Sequence, residues 1–193
     1  MKHFLPHPVI QLPPDYPVFD LSDPLDVKFA DTAIYGVGRY NEKRGDMYKT
    51  PLFEGTRNIH MGIDFFGPVG TPVHSFCAGK IHLLGNNDAP GDYGFTLITE
   101  HGIGETSLYA LYGHLSAKSL EGKIPGREIQ SGEIIGWIGD RHENGGWTPH
   151  LHFQLSLEKP DRPDLPGVVS EEELPGALLK FPDPRIVLGP IYF

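Results

Sequence analysis

Nineteen prolines and 24 glycines are spread along the 193 residues, and this punctuation constrains the fold more than any other feature. Proline inside a helix removes a backbone hydrogen bond and clashes with the preceding turn, and glycine there costs about 1 kcal/mol relative to alanine. Few of the intervals between these residues suit a long helix, whereas strands of roughly five or six residues fit readily. The expected architecture is mostly β: one domain of short antiparallel strands separated by turns, with little helix.

Local patterns carry that expectation along the chain. Residues 1–30 are proline-rich, "PHPVIQLPPDYPVFDLSDPLD", and are expected to run extended over the surface. Further on, "TPVHSFCAGKIHLLG" reads as two strands on either side of Ala78–Gly79, and "GNNDAPGDYG" as a long, turn-rich loop. "FTLITEH" and "TSLYALYGHL" read as strands, and "SGEIIGWIGD" as a short strand bounded by glycines. A glycine-rich loop, "GDRHENGGWTP", leads into the alternating run "HLHFQLSLE". Ser170, with Glu173 three residues on, resembles a capping box for one helix that Pro175 and Gly176 keep short. "PDPRIVLGPIYF" reads as a docked arm. The chain thus divides into an N-terminal arm (1–50), a core (51–158) and a C-terminal arm (159–193).

Charge and cysteine content narrow the function. Sixteen basic against 25 acidic residues give 16 − 25 = −9, a sign that repels phosphate backbones and anionic headgroups. No nucleic-acid partner is expected. Cys77 is the only cysteine, which excludes an intrachain disulfide and a cysteine-based zinc site, and it reads as a small buried hydrophobe. Prolines interrupt "MKHFLPHPVIQLPPDYPVF" too often for a signal sequence, and no run approaches the ~20 apolar residues of a membrane span. These residues alone point to a cytoplasmic protein.

Two clusters carry chemistry. His150 and His152 stand one residue apart in a strand pattern, so their side chains share a face roughly 7 Å apart. His60 and Asp64 are four apart, which places them on one face of a strand or a helical turn, and Gly62 between them leaves room for close approach. A nitrogen from either of the paired histidines would complete a His₂Asp set, three protein ligands with one position open, as in a catalytic zinc site. No HExxH occurs, so the glutamate base of the common zinc-protease helix is absent and another proton acceptor is needed. His114, which ends an aromatic-rich strand, and whichever of His150 and His152 is not a ligand are the candidates.

"HMGIDFFGPVGTPV", "YGHLS", "SGEIIGWIGD" and "PHLHFQ" follow one another in the order found in lysostaphin-type, or LytM-like, zinc metalloendopeptidases. The resemblance covers about residues 55 to 157. It implies a duplicated-hybrid-motif fold with a groove across antiparallel sheets, and hydrolysis of peptide cross-links in peptidoglycan. It makes His60, Asp64 and His152 the ligands of a single Zn²⁺, and His114 and His150 the catalytic histidines. It also implies a periplasmic or envelope location, against the cytoplasmic reading above. Alternatives are an intracellular zinc peptidase acting on another peptide, and a LytM-like module that binds and activates wall amidases. Asn41 lies upstream of the first of these ligands, in the kind of segment from which some full-length relatives block their zinc with an asparagine. His3, His7, His74, His82, His101 and His142 match no ligand position.

Overall fold

The computed structural model describes residues 6–45, 47–104 and 106–192; His3 and Phe193 lie outside them. In chain order the strands are β1 (Val18–Phe19), β2 (Gly36–Gly38), β3 (Glu42–Lys43), β4 (Ile59–His60), β5 (Ile63–Phe66), β6 (Pro72–His74) and β7 (Gly79–Asn87). They continue with β8 (Gly94–Ile103), β9 (Thr106–Leu115), β10 (Glu128–Ile129), β11 (Ile134–Trp137), β12 (His150–Ser156) and β13 (Val168–Val169). The α-helices are short: α1 (Pro24–Ala30), α2 (Leu174–Lys180) and α3 (Arg185–Leu188). One eight-stranded sheet, ordered β1-β2-β5-β12-β9-β8-β7-β10, dominates. A three-stranded sheet, β13-β4-β3, and a two-stranded sheet, β11-β6, flank it. Among the described residues every strand pairing is antiparallel except that of β1 with β2.

The core lies on both faces of the long strands. In β9, Leu108, Ala110 and Tyr112 pack into a cluster with Leu97 and Phe153, while Tyr109 and Leu111 pack on the other side with Ile98 and Met61. That alternation is the period-two geometry of a strand covered on both faces. Hence "LYALYGHL" reads as continuous apolar sequence: every residue from Leu108 to Leu115 is buried.

The structure departs from the sequence reading at the chain's first segment. Residues 24–30 are not extended but form α1, because Asp23 caps it by accepting from the Leu25 N–H at 2.8 Å and Pro24 sits in its first turn, where no N–H is needed. β1 and β2 then extend the main sheet instead of running over its surface. β7 also continues through Asn87, opposite Gly94, and shortens the expected loop. At the other end, Ser170 and Glu173 form the reciprocal bonds of a capping box, Glu173 Oε2 accepting from the Ser170 N–H at 2.8 Å and Ser170 Oγ from the Glu173 N–H at 3.3 Å. Pro175 lies in the first turn of α2 rather than ending it. The C-terminal arm docks through Val187 and Tyr192, both in the main core cluster.

Candidate metal centre

Two sheets meet at the histidines. β12 lies between β5 and β9, and places His152 opposite Asp64 on one side and Gly113 on the other. His60 belongs instead to β4, where it pairs with Val168 and Glu42 of the three-stranded sheet. The chain crosses from one sheet to the other at Met61–Gly62, and so brings His60 back against its neighbour four residues on. A Cβ at position 62 would lie 2.5 Å from His152 Cε1 and 2.6 Å from its Nε2, so only glycine allows the approach.

Three ligand-type atoms converge there. His60 Nε2 lies 2.9 Å from His152 Nδ1, and each lies 3.1 Å from Asp64 Oδ1. All three residues are buried. Their partners decide which atoms carry protons. His60 Nδ1 faces the carbonyl of Arg39 at 2.9 Å and must donate to it. His152 Nε2 donates to Gln154 Oε1 at 3.0 Å, and the Gln154 amide is oriented by its own donation to the Pro166 carbonyl at 3.2 Å. The two inward nitrogens are therefore lone pairs beside a carboxylate oxygen: three acceptors with no proton to share. A tetrahedral zinc with bonds of 2.0–2.1 Å separates its ligand atoms by about 3.3 Å, close to the spacing here. The donor set and its dimensions fit a zinc ion, and the outward hydrogen bonds are of the kind that fix metal-binding histidines.

Electrostatics prepares these atoms. Burial, reinforced by Arg44, pushes His60 down to about 4. Burial alone would raise Asp64, but His60, Arg44 and His150 hold it well below the usual carboxylate range. At neutral pH one imidazole is neutral and the carboxylate ionised, the forms that bind a metal without first losing a proton.

His114 and His150 stand beside the triplet. Their ring centroids are 4.3 Å apart, and His150 Nε2 is 3.7 Å from Asp64 Oδ1. His114 Nδ1 donates to the Asn144 carbonyl at 2.9 Å and His150 Nδ1 to that of Thr148 at 2.6 Å. Both Nε2 atoms are left as acceptors. Burial lowers the pKa of both rings, that of His114 to well below the ordinary value. His114 also holds a left-handed backbone, φ 62°, sustained by its N–H to the Tyr93 carbonyl and by Gly139 N–H to its own carbonyl, each 2.9 Å. Such strain in a non-glycine residue concentrates at functional sites.

The cluster opens on a cavity of about 360 Å³, walled by Tyr48, Phe53 and Trp147 and edged by Arg57, Asp92 and Asp164. Sequence reasoning missed several residues around it. Gln154 stands two beyond His152 on the same strand face, and strand periodicity contains that signal. Arg44, in the charged run "NEKRGD", carries no local sign of being 2% exposed and bonded to Asp64 Oδ2 at 2.6 Å. The remaining described histidines have structural partners elsewhere: His74 with Gly132, His82 with Pro160, and His101 with Thr99 and Cys77. His142 is exposed beside Asp140, and His7 bonds its neighbour Pro8. Asn41 is exposed in a left-handed turn, and its backbone N–H donates to the His60 carbonyl at 2.8 Å.

A family model described as Peptidase family M23 matches residues 58–163, more than half of the chain. The DD-carboxypeptidase/endopeptidase Mpg of Neisseria meningitidis serogroup B is 39% identical over 103 residues, 53% of this chain and 21% of that protein. The peptidoglycan DD-endopeptidase ShyA of Vibrio cholerae serotype O1 is 34% identical over 96 residues, 50% of this chain and 20% of that protein. The chain spans about a fifth of the length of these curated relatives. In fold it is similar to the catalytic domain of the antimicrobial peptidase lysostaphin from Staphylococcus simulans, with a TM-score of 0.51 at 24% identity over 78% of this chain and 96% of that one. The matched stretch contains His60, Asp64, His114, His150 and His152, and the chain belongs to peptidase family M23.

Proposed function

We propose that the chain is a zinc metalloendopeptidase that hydrolyses peptide bonds in peptidoglycan cross-links, with His60, Asp64 and His152 as the ligands of one Zn²⁺ and His114 and His150 as the catalytic histidines. The observation that carries this reading is the convergence of two imidazole nitrogens and one carboxylate oxygen within 3.1 Å of one another in a buried pocket beside two further imidazoles. A zinc ion held there would polarise a substrate carbonyl and acidify a water.

The chain's own residues do the rest. His150, held by Thr148, presents a lone pair to take the proton of the attacking water. His114, held by Asn144, is also an acceptor at rest, so the one proton that the water gives up goes to His150 or to His114 and not to both. The ring that takes it becomes a hydrogen-bond donor to the developing oxyanion and then returns that same proton to the leaving amine. Such assistance is typically worth ~10²–10⁴-fold. Tyr48, Phe53 and Trp147 wall the cavity and limit the water around the reacting bond.

A substrate of this class lies in the cell envelope, which is the proposed site of action. Among the described residues no helix is long and apolar enough to cross a membrane. An activator of wall amidases has no need of an intact ligand set, and here the set is intact. The test is metal analysis after native purification, followed by digestion of defined cross-linked muropeptides with and without a chelator. Stoichiometric zinc and chelator-sensitive cleavage support the proposal; a metal-replete protein that cleaves none of a panel of D,D-linked and oligoglycine substrates refutes it.

A further inference from the structure

Among the described residues Arg44 is the largest side chain that is almost completely buried, and its side-chain bonds lead to the candidate metal centre or to what supports it. Its Nη1 donates to Asp64 Oδ2 at 2.6 Å and to the Tyr48 hydroxyl at 3.2 Å. Its Nε donates to Glu42 Oε2 at 2.9 Å, and Glu42 Oε1 in turn accepts from the Leu21 N–H at 3.2 Å. Its Nη2 donates to the Arg39 carbonyl at 3.3 Å, the same oxygen that accepts from His60 Nδ1. One backbone carbonyl and one guanidinium therefore tie two of the three ligand residues together. Gly38, opposite Asp64 in the sheet, leaves the space: a Cβ there would stand 2.9 Å from Arg44 Nη2.

We propose that Arg44 is a positioning residue of the metal centre, which engages Oδ2 of Asp64 so that Oδ1 alone faces the two nitrogens, with Glu42 and the Arg39 carbonyl holding Arg44 in turn. The inference rests on the metal reading above and extends it to residues 38–48, upstream of the stretch matched by the family model. A carboxylate with both oxygens free can bind a metal through both and fill the open position that catalysis needs; a planar guanidinium on one oxygen prevents this. The charge of Arg44 works the other way, since a cation beside a dication repels it. Electrostatics alone predicts tighter zinc binding without Arg44, and positioning predicts weaker binding. The sign separates the two.

The experiment uses Arg44→Lys and Arg44→Met, together with the double variant Glu42→Gln/Arg44→Met, which removes both buried charges and serves if Arg44→Met does not fold. Zinc affinity is measured by chelator competition, coordination number by the visible absorption of the Co²⁺-loaded protein, and folding by melting of the metal-free protein. Positioning predicts a loss of about 10–100-fold in zinc affinity, weaker Co²⁺ bands as the coordination number rises, and no rescue by lysine, which lacks the planar fork. Folded variants with wild-type affinity and spectrum, or with tighter binding, overturn the proposal. Wild-type protein whose zinc affinity is unchanged by His152→Ala overturns the metal reading itself, and this inference with it.

Discussion

Replacing Gly62 with alanine tests the centre at its tightest point. The new methyl would stand 2.5 Å from His152 Cε1, 2.6 Å from Nε2 and 2.9 Å from the Phe153 carbonyl oxygen. Ordinary carbon contacts begin near ~3.5 Å, so the ring must retreat by roughly 1 Å or the β5–β12 pairing must open. The ring has no free direction, because Gln154 holds Nε2 at 3.0 Å and Nδ1 belongs to the triplet. Metal ligands tolerate shifts of only about 0.2 Å, so zinc affinity should fall at least tenfold, or about 1.4 kcal/mol. Overpacking of this kind costs about 1–3 kcal/mol of stability, which lowers the melting temperature of the metal-free protein by roughly 2–12 °C. Chelator competition and calorimetry measure the two effects. Gly176→Ala in α2 is the control, since nothing lies within 4 Å of the added methyl; it should leave zinc binding unchanged and stabilise by about 0.5–1 kcal/mol. Zinc binding within twofold of wild type in a folded Gly62→Ala protein would show that His152 is not held in the way argued.

Three further outcomes follow from the same geometry. His114→Ala and His150→Ala should each retain stoichiometric zinc and lose ~10²–10⁴-fold in turnover on a cross-linked peptide, and an active variant removes that ring from the proton path. His152→Ala should lose the metal, as read by elemental analysis of the purified protein. His101 is buried with its pKa lowered by desolvation, so the unfolded chain binds its proton first as the pH falls. Its contribution to stability is therefore complete above about pH 6.5 and is lost as the pH drops toward its folded value. Urea midpoints of metal-free wild type and His101→Gln between pH 5 and 8 should show a shallower slope in the variant, and equal slopes would refute this account.

Periodicity and punctuation made the mostly β fold legible, because both act over a few residues. The same holds for the shared face of His150 and His152 and for the capping box at Ser170, whose partners lie within three residues. Where the reading failed, the deciding partner was distant or the local rule had a second outcome. Proline in "SDPLDV" signals irregular chain in most positions, yet after a capping aspartate it starts a helix, and α1 is that case. Arg44 is the sharper example. In "NEKRGD" it has the appearance of solvated charge, because nothing nearby marks it for burial; its partner, Asp64, is 20 residues on and reaches it only once β2 and β5 have paired. The roles of the nitrogens are set the same way, by carbonyls of Arg39, Thr148 and Asn144 that belong to the backbone and leave no trace in side-chain identity. Sequence thus names the side chains that are candidates to bind a metal or move a proton, whereas the tautomers and the choice of Oδ1 over Oδ2 at Asp64 depend on backbone and distant partners. A substitution that spares every candidate ligand, at Gly62 or Arg44, is for that reason the stricter test of the site: it alters only what the fold contributes.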